Sequence, residues 1–222
     1  MSGLEIITTS DGSHSLINNN LKETYHSVHG AIQESQHVFI RSGFDFWRGQ
    51  NPGKKVRILE MGFGTGLNAF LTLLESRHLA VTVYYESWEM YPVDLSIARQ
   101  LNYGDVLRSK DEFLKLHEAS WEESSKITSD FTMMKRKGDI QQAVWEEQSF
   151  DIIYYDAFAP SKQPYMWNVA ILELITDALA PGGVWVTYCA KGQVKRDLRS
   201  FGLKVEALPG APGKKEMIRA SR

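Results

Sequence analysis

Hydrophobic positions along most of the chain alternate between short strand-like runs and helical spacing. Val56–Met61 is a short apolar run that ends at a glycine-rich turn, and Leu67–Leu74 continues with helical character. Val81–Glu89 and Phe131–Ile140 predict further strands, and Phe150–Phe158 is a continuous apolar run of the kind found in strands covered on both faces. Strands that alternate with helices predict an α/β fold with a mostly parallel, doubly wound sheet.

The first 50 residues show a different pattern. Apolar runs flank Asp11-Gly12, a pair typical of a β-hairpin turn, and apolar residues between Val28 and Phe39 recur at helical spacing. We therefore expect residues 1–50 to form a small hairpin-and-helix extension packed on the core. Residues 51–222 are expected to form the main domain, with both parts in one structural unit.

Later segments complete the prediction. Pro92 is well placed at the start of a helix, the polar stretch His117–Asp130 reads as a loop, and Gln193–Ser200 predicts a basic helix. The runs Lys204–Leu208 and Glu216–Ala220 are separated by a short loop, so they predict an antiparallel hairpin at one edge of the sheet. The sequence leaves the order of the strands open.

Cysteine content and the N-terminus indicate the compartment. Cys189 is the single cysteine of the 222 residues, so no disulfide can form within the chain, and a buried, unreactive thiol is expected. The N-terminus has no basic segment followed by an apolar one, and no stretch approaches the length of a membrane span. These features predict a cytoplasmic protein with no membrane partner; oligomeric state stays open.

Charge is unevenly distributed. The net charge is −2, but residues 191–222 hold nine Lys or Arg and three Asp or Glu, a local +6 against −8 for the rest. A basic end on an acidic body suits a polyanion that docks at one edge. A solvated basic surface explains the same pattern, and charge alone does not choose between them.

The segment Glu60–Asn68, EMGFGTGLN, carries the strongest chemical signal. It lies where a strand ends and a helix begins, which is the ligand-binding edge of an open α/β sheet. Gly62, Gly64 and Gly66 follow a G-x-G-x-G pattern, whereas dinucleotide sites use G-x-G-x-x-G. A carboxylate at Glu60 would repel a pyrophosphate but suits a cofactor that carries an ammonium. The pattern predicts S-adenosylmethionine, with NAD as the weaker alternative.

Two more acidic residues fall at successive strand ends. Glu89 closes the second strand and could accept hydrogen bonds from both ribose hydroxyls, and Asp139, after the third strand, could accept one from the adenine amino group. Solvated loop acids are the alternative. The residues expected at the cofactor are Glu60, Gly62, Phe63, Gly64, Gly66, Asn68, Glu89 and Asp139.

Asp156 ends the fourth strand and is the candidate catalytic residue. A carboxylate at this position could hold an alkylammonium acceptor, orient it and help it lose a proton. Phe158 and Pro160 could form an apolar wall, with Phe158 stacked on a base. The alternative makes Asp156 the N-cap of the next helix and the aromatic residues core.

Several motifs together resemble one known family. EMGFGTGLNAF, SWEMYP, DAFAPSKQPYMW, PGG and KKEM occur in this order, and YHSVHGAIQESQHVFI (Tyr25–Ile40) extends the match over nearly the whole chain. They look like the methyltransferase half of MnmC, the bacterial tRNA 5-methylaminomethyl-2-thiouridine biosynthesis protein. DAFAP followed by P-x-x-W is more specific than the glycine turn.

This resemblance implies a Rossmann-like methyltransferase fold and S-adenosylmethionine-dependent methylation of the 5-aminomethyl nitrogen of a tRNA wobble uridine. It places Asp156 at the acceptor amine, Tyr25 and Glu34 near the pocket, and Lys214 and Lys215 on the tRNA side. MnmC continues into a flavin-dependent oxidase domain, and this chain ends at Arg222, so neither FAD nor oxidase activity is expected. The basic loop has two lysines where the longer protein has an arginine-rich run, which weakens the expected RNA contact.

Two other functions remain open from the residues. A small-molecule amine methyltransferase or aminopropyltransferase also uses a glycine turn and strand-end acids, and a non-catalytic tRNA-binding module could retain such a pocket. The six histidines show no spacing typical of zinc ligands with cysteine partners, so no metal is predicted.

Overall fold

The computed structural model describes residues 3–222 and contains two β-sheets. The strands are β1 Leu4–Thr8, β2 His14–Asn18, β3 Glu23–Thr24, β4 Val56–Met61, β5 Val83–Glu89, β6 Ser124–Lys126, β7 Phe131–Lys137, β8 Phe150–Tyr155, β9 Leu179–Thr187, β10 Lys204–Pro209 and β11 Glu216–Ser221. The first three form a small antiparallel sheet, and the other eight form the main sheet in the order β10-β11-β9-β8-β4-β5-β7-β6.

Helices cover both faces of the main sheet. They are α1 Ala31–Ser35, α2 Phe46–Gln50, α3 Leu67–His78, α4 Leu95–Ala98, α5 Tyr103–Val106, α6 Lys110–Glu118, α7 Val169–Asp177 and α8 Gly192–Ser200. Short 3-10 turns occur at Ile140–Gln142 and Pro164–Trp167. None of the helices within residues 3–222 has the length and apolar character needed to cross a bilayer.

The topology confirms the predicted α/β architecture. The strands from β9 through β8, β4 and β5 to β7 are parallel, while the β10–β11 hairpin is antiparallel, as expected from the sequence. Chain order reverses beside β4, because β5 lies on one side of it and β8 on the other. Such a switch point opens a crevice at the carboxyl ends of the strands, which is where ligands bind in open α/β sheets.

Strand β8 shows how the core forms on both faces. Ile152 and Tyr154 point into a hydrophobic cluster shared with α3 and α6, whereas Ile153 and Tyr155 point into one shared with α7 and α8. Successive strand side chains alternate between faces, so a strand covered on both sides needs an unbroken apolar run. This explains why Phe150–Phe158 shows no alternation of apolar and polar residues.

A long helical segment from the N-terminal part packs against the sheet. Between α1 and α2 the chain is π-helical over Gln36–Asp45, so the predicted helix is confirmed and extends to Gln50. Gly43 allows its close approach, since a Cβ there would lie 3.0 Å from Val186 Cγ2. The hairpin around Asp11-Gly12 is also confirmed. The division into residues 1–50 and 51–222 stays a prediction.

Two predicted segments differ from the structure. The stretch His117–Asp130 was expected to be a loop, but it contains the end of α6 and the strand β6, which pairs with β7. Strand β6 has the sequence Ser-Ser-Lys, which carries no apolar alternation because it lies at the sheet edge. The helix after Pro92 is a single turn, α4, capped by Asp94.

Helix α7 provides a test of this packing. Leu172 is fully buried between α7 and the sheet, whereas Val169 on the same helix is about half exposed. We expect Leu172→Ala to lower the free energy of unfolding by about 2–5 kcal/mol, because it leaves a cavity in a close-packed core. Val169→Ala should change it by less than about 0.5 kcal/mol. Urea unfolding measures both, and equal effects would contradict the assigned burial.

Candidate active site

A cavity of about 810 Å³ opens at the carboxyl edge of the sheet, beside the switch point. It brings together most residues that the sequence singled out. Those in its lining are Tyr25, Glu34, Gly62, Phe63, Gly64, Asn68, Glu89, Asp139, Asp156, Phe158 and Lys214. Four others lie outside the lining formed by the described residues: Glu60, Gly66, Pro160 and Lys215.

The glycine turn between β4 and α3 needs residues without a side chain. Gly62, Gly64 and Gly66 have φ values of 92°, 50° and 73°, in the left-handed region that favours glycine. A Cβ on Gly62 would lie 2.9 Å from the carbonyl oxygen of Asp156, so the turn packs directly on the chain at the end of β8. This contact places the turn next to Asp156.

Buried side chains hold the turn from behind. His26 Nε2 lies 2.7 Å from Thr65 Oγ1, and His117 Nε2 donates to the Thr65 carbonyl oxygen at 3.0 Å. Burial lowers the pKa of each imidazole to about 4, so both are neutral at pH 7. Lys135 Nζ donates to the His117 carbonyl oxygen and lies 5.3 Å from the Phe63 ring centroid. The turn is therefore fixed by groups that the sequence analysis did not identify.

Glu89 closes β5, as predicted, and its carboxylate crosses over to the turn. Oε2 accepts the Gly64 N–H at 3.0 Å, and Oε1 accepts the Tyr91 N–H at 2.8 Å. Burial raises the pKa of this carboxyl, and the backbone donors oppose that shift. Each carboxylate oxygen has a second lone pair, so the group can still accept hydroxyl donors from a ligand in the cavity.

Asp139 follows β7 and is held in place by Gln141 and Tyr165. Its Oδ1 accepts the Gln141 N–H at 3.0 Å and a hydrogen bond from the Tyr165 hydroxyl. The Tyr165 bond, followed by the Gln141 bond, lowers the pKa of the Asp139 carboxyl, so it remains an anionic acceptor.

Asp156 follows β8 and faces the cavity. Its backbone N–H donates to the Met61 carbonyl oxygen at 3.0 Å, and Asn68 Nδ2 donates to Asp156 Oδ2 at 2.8 Å. Burial raises the pKa of the carboxyl to about 7, the Asn68 bond lowers it, Glu34 raises it and Lys214 lowers it. Asp156 does not cap a helix, since Asn168 is the N-cap of α7.

Glu60 differs from the expectation of a charged group at the cofactor. It is fully buried, and Ser87 Oγ donates to its Oε2 at 2.5 Å. Burial raises the pKa of Glu60 to about 8, so the carboxyl is mostly protonated at pH 7 and offers little charge to an ammonium. Its direct contact with a cofactor stays a prediction.

Aromatic rings close the far side of the cavity. Tyr25 and Phe158 meet edge to face with their centroids 4.9 Å apart, and burial raises the pKa of Tyr25 to about 12. Sequence analysis missed Tyr188, which directly follows β9 and lines the cavity. Its position after a parallel strand, like that of Asp156 after β8, could have identified it. Met166, in the Pro164–Trp167 turn, also lines the cavity.

Lys214 and Lys215 occupy different environments. Lys214 Nζ lies 2.6 Å from Glu34 Oε1 and 3.8 Å from the centroid of the Tyr188 ring, so its ammonium faces the cavity. Lys215 is exposed on the surface of the same loop.

These residues fit S-adenosylmethionine. The side-chain-free turn allows a ligand to approach the backbone, and Glu89 and Asp139 offer acceptors for hydroxyl and amino donors along the same crevice. Cys189 is buried, as expected. No group of three or more His, Cys, Asp or Glu among residues 3–222 is arranged to hold a metal ion.

Comparison with known proteins gives a consistent result. A family model described as S-adenosyl-L-methionine-dependent methyltransferase matches residues 109–222, just over half of the chain. The tRNA 5-methylaminomethyl-2-thiouridine biosynthesis bifunctional protein MnmC of Leptospira interrogans is 30% identical over 210 residues, covering 88% of this chain and 32% of that protein. MnmC of Pseudomonas fluorescens is 29% identical, covering 89% and 32%. The chain thus spans about a third of the length of these relatives.

A crystal structure of MnmC2 from Aquifex aeolicus superposes with a TM-score of 0.84 at 29% identity, covering 100% of this chain and 71% of that one. The resemblance to MnmC and the Rossmann-like fold are confirmed. The chain belongs to the S-adenosyl-L-methionine-dependent methyltransferase family.

Proposed function

We propose that the protein methylates the 5-aminomethyl nitrogen of a tRNA wobble uridine, giving 5-methylaminomethyluridine in the cytoplasm. The observation that carries this proposal is the Asp156 carboxyl, fixed by Asn68 beside the glycine turn. The names of the relatives, which refer to tRNA 5-methylaminomethyl-2-thiouridine biosynthesis, support the choice of acceptor.

The acceptor chemistry explains why an acid with a raised pKa is useful. An alkylamine is mostly an ammonium at neutral pH, and methyl transfer needs its free lone pair. The Asp156 carboxylate binds that ammonium and orients its nitrogen, and it can accept the proton at Oδ1 or Oδ2. Because its pKa is about 7, it exchanges protons readily near neutral pH.

S-Adenosylmethionine supplies an electrophilic methyl group on a sulfonium. The Gly62–Gly66 turn and Glu89 would hold its amino-acid and ribose portions, and Asp139 its adenine. The Tyr25–Phe158 pair lines the cavity and offers a ring face to the uracil base.

Surface charge supports RNA as the carrier of the acceptor. Some basic residues of the C-terminal segment form ion pairs within the protein, including Lys195 with Glu216 and Arg219 with Glu206, so the RNA contact must come from the others. Lys215 and Lys191 are exposed near the cavity-side loop and the start of α8 and can contact phosphates.

The direct experiment incubates the protein with S-adenosylmethionine and tRNA that carries 5-aminomethyluridine, followed by mass spectrometry of the wobble nucleoside. A gain of one methyl group is expected. If simple amines are methylated as efficiently as the tRNA, a small-molecule methyltransferase replaces the RNA assignment. If S-adenosylmethionine does not bind at all, a non-catalytic module replaces both.

Replacing Asp156 should separate catalysis from cofactor binding. We expect Asp156→Asn to lower kcat by about 10²–10⁴-fold, because the amide cannot pair with the ammonium or take its proton. The Kd for S-adenosylmethionine, measured by calorimetry, should stay within about twofold. An unchanged kcat would exclude Asp156 from the reaction.

The pH dependence follows from the raised pKa of Asp156. The active form is the carboxylate, whose fraction rises from about one tenth at pH 6 to about nine tenths at pH 8 for a pKa of about 7. We therefore expect the single-turnover rate to rise through this range and level off above it. A rate already independent of pH at pH 5.5 would contradict this assignment.

Glu89 should act on cofactor affinity. Because its carboxylate accepts from Gly64 and Tyr91 and faces the cavity, Glu89→Gln should weaken S-adenosylmethionine binding by about 10–100-fold with a small change in kcat at saturation. Glu173→Gln, an exposed change on α7, is the control for lost charge and should leave affinity unchanged. A reduced kcat with unaltered affinity would reject the cofactor role.

Lys215 should act on RNA docking. We expect Lys215→Ala to weaken tRNA binding and to reduce the slope of log K against log salt by about 0.7–0.9, the effect of one lost phosphate contact. Lys55→Ala, at the opposite end of β4, is the control. Equal salt slopes in the three proteins would place RNA docking elsewhere.

A further inference from the structure

The loop between β10 and β11 directs one lysine inward. Gly213 has a φ of 84° and packs so tightly on the His29 ring that a Cβ there would overlap it. The Lys214 N–H donates to the Ala211 carbonyl oxygen at 2.8 Å. The loop is thus anchored on the N-terminal segment, and this anchoring brings the Lys214 side chain into the cavity.

The Lys214 ammonium lies in a small cation-binding arrangement. Glu34 Oε1 is 2.6 Å from Nζ, and the Tyr188 ring centroid is 3.8 Å from it. Glu34 is 5% exposed, and its Oε2 accepts the Ser27 N–H at 2.7 Å. The Tyr188 hydroxyl donates to the carbonyl oxygen of Ala157, the residue after Asp156. A fixed carboxylate and a fixed aromatic face together form a site for an ammonium.

We propose that Glu34 and the face of Tyr188 form the docking subsite for the primary ammonium of the acceptor, and that Lys214 occupies this subsite in the free protein and leaves it when the acceptor enters. The proposal rests on the proposed function for the identity of the acceptor. An aminomethyl group and a lysine side chain end in the same group, a primary ammonium on a CH₂, so each satisfies the same partners.

The exchange keeps the buried carboxylate paired. Removing Lys214 alone would leave Glu34 buried without a cation, which is strongly unfavourable, whereas replacing one ammonium by another avoids that cost. Lys214 also lines a second, more open groove of about 450 Å³ together with Lys215 and Glu216. The Lys214 side chain therefore borders both the cavity and this groove, and the groove can receive it when it leaves the cavity.

The subsite is adjacent to Asp156. Glu34 raises the pKa of the Asp156 carboxyl and Lys214 lowers it, and all three residues line one cavity. An ammonium held at Glu34 is thus within the electrostatic reach of Asp156, so the subsite gathers the charged acceptor before Asp156 orients it. The alternative is that the Glu34–Lys214 pair is a permanent bridge between the two chain ends.

The first arm of the test uses propylammonium as the probe. Lys214→Ala should be less stable than the parent, and propylammonium should restore its Tm saturably, while propanol does not. The double variant Lys214→Ala with Glu34→Gln should not respond. Lys204→Ala, an exposed change on the same hairpin, should behave as the parent does. Equal stabilisation of the parent and of Lys214→Ala by propylammonium would overturn the proposal.

The second arm measures binding of the nucleoside 5-aminomethyluridine by calorimetry. In the parent, Lys214 occupies the subsite, so the apparent affinity for the nucleoside is reduced in proportion to the fraction of molecules whose subsite is free. Lys214→Ala should therefore bind the nucleoside about tenfold more tightly than the parent. Lys214→Met, which retains the packing on Tyr188, gives the same comparison if the alanine variant is unstable. Equal or weaker binding would overturn the proposal. Binding without methylation would reject only the proposed function, and methylation of tRNA without this affinity pattern would reject only the subsite.

Discussion

The contact between the ends of β4 and β8 is the constraint on which the site depends. Gly62 lies against the Asp156 carbonyl oxygen with no room for a Cβ, and the Asp156 N–H donates to Met61 at 3.0 Å. Asn68, the second residue of α3, then reaches the Asp156 carboxyl. Because all of these groups lie on adjacent parallel strands and the helix that follows, the glycine turn and the Asp156 carboxyl form one rigid unit. A small shift between the two strands would change both together.

Burial divides the acidic residues around this unit into different roles. Glu60 lies beneath the turn with a pKa raised to about 8 and is mostly neutral at pH 7, while Asp156, with a pKa of about 7, is poised for proton exchange. Asp139 is held anionic by its hydrogen bonds, and Glu34 is paired with Lys214. Residues of one chemical type thus differ in protonation and partners: one is mostly neutral, one titrates near neutral pH, one stays anionic and one is paired with a lysine.

Sequence patterns were most informative where the physics is local. The run Val56–Met61 was predicted with the observed bounds, because a buried strand needs continuous apolar residues. The three glycines were identified from their G-x-G-x-G spacing at the end of that strand, and each adopts a positive φ in the structure. Strand order could not be derived, since it depends on contacts between distant segments. The same limit explains why the inward orientation of Lys214 was not foreseen: Glu34 is 180 positions away in the sequence, and only the folded chain brings their charges together.

Segments near the two ends of the chain form one wall of the cavity. The strands β4, β5, β7 and β8 and the glycine turn provide a crevice that suits a cofactor, but the opposite wall comes from residues 18–28, Glu34 and the β10–β11 loop. That wall contains Tyr25, which meets Phe158, and the Glu34–Lys214 pair. A core of this kind can be combined with different walls, so the cofactor is determined by the α/β sheet and the acceptor by the segments that close it. In this protein the closing segments present a carboxylate and aromatic faces, and for this reason the acceptor we propose is a cationic group attached to a flat ring rather than a neutral or anionic one.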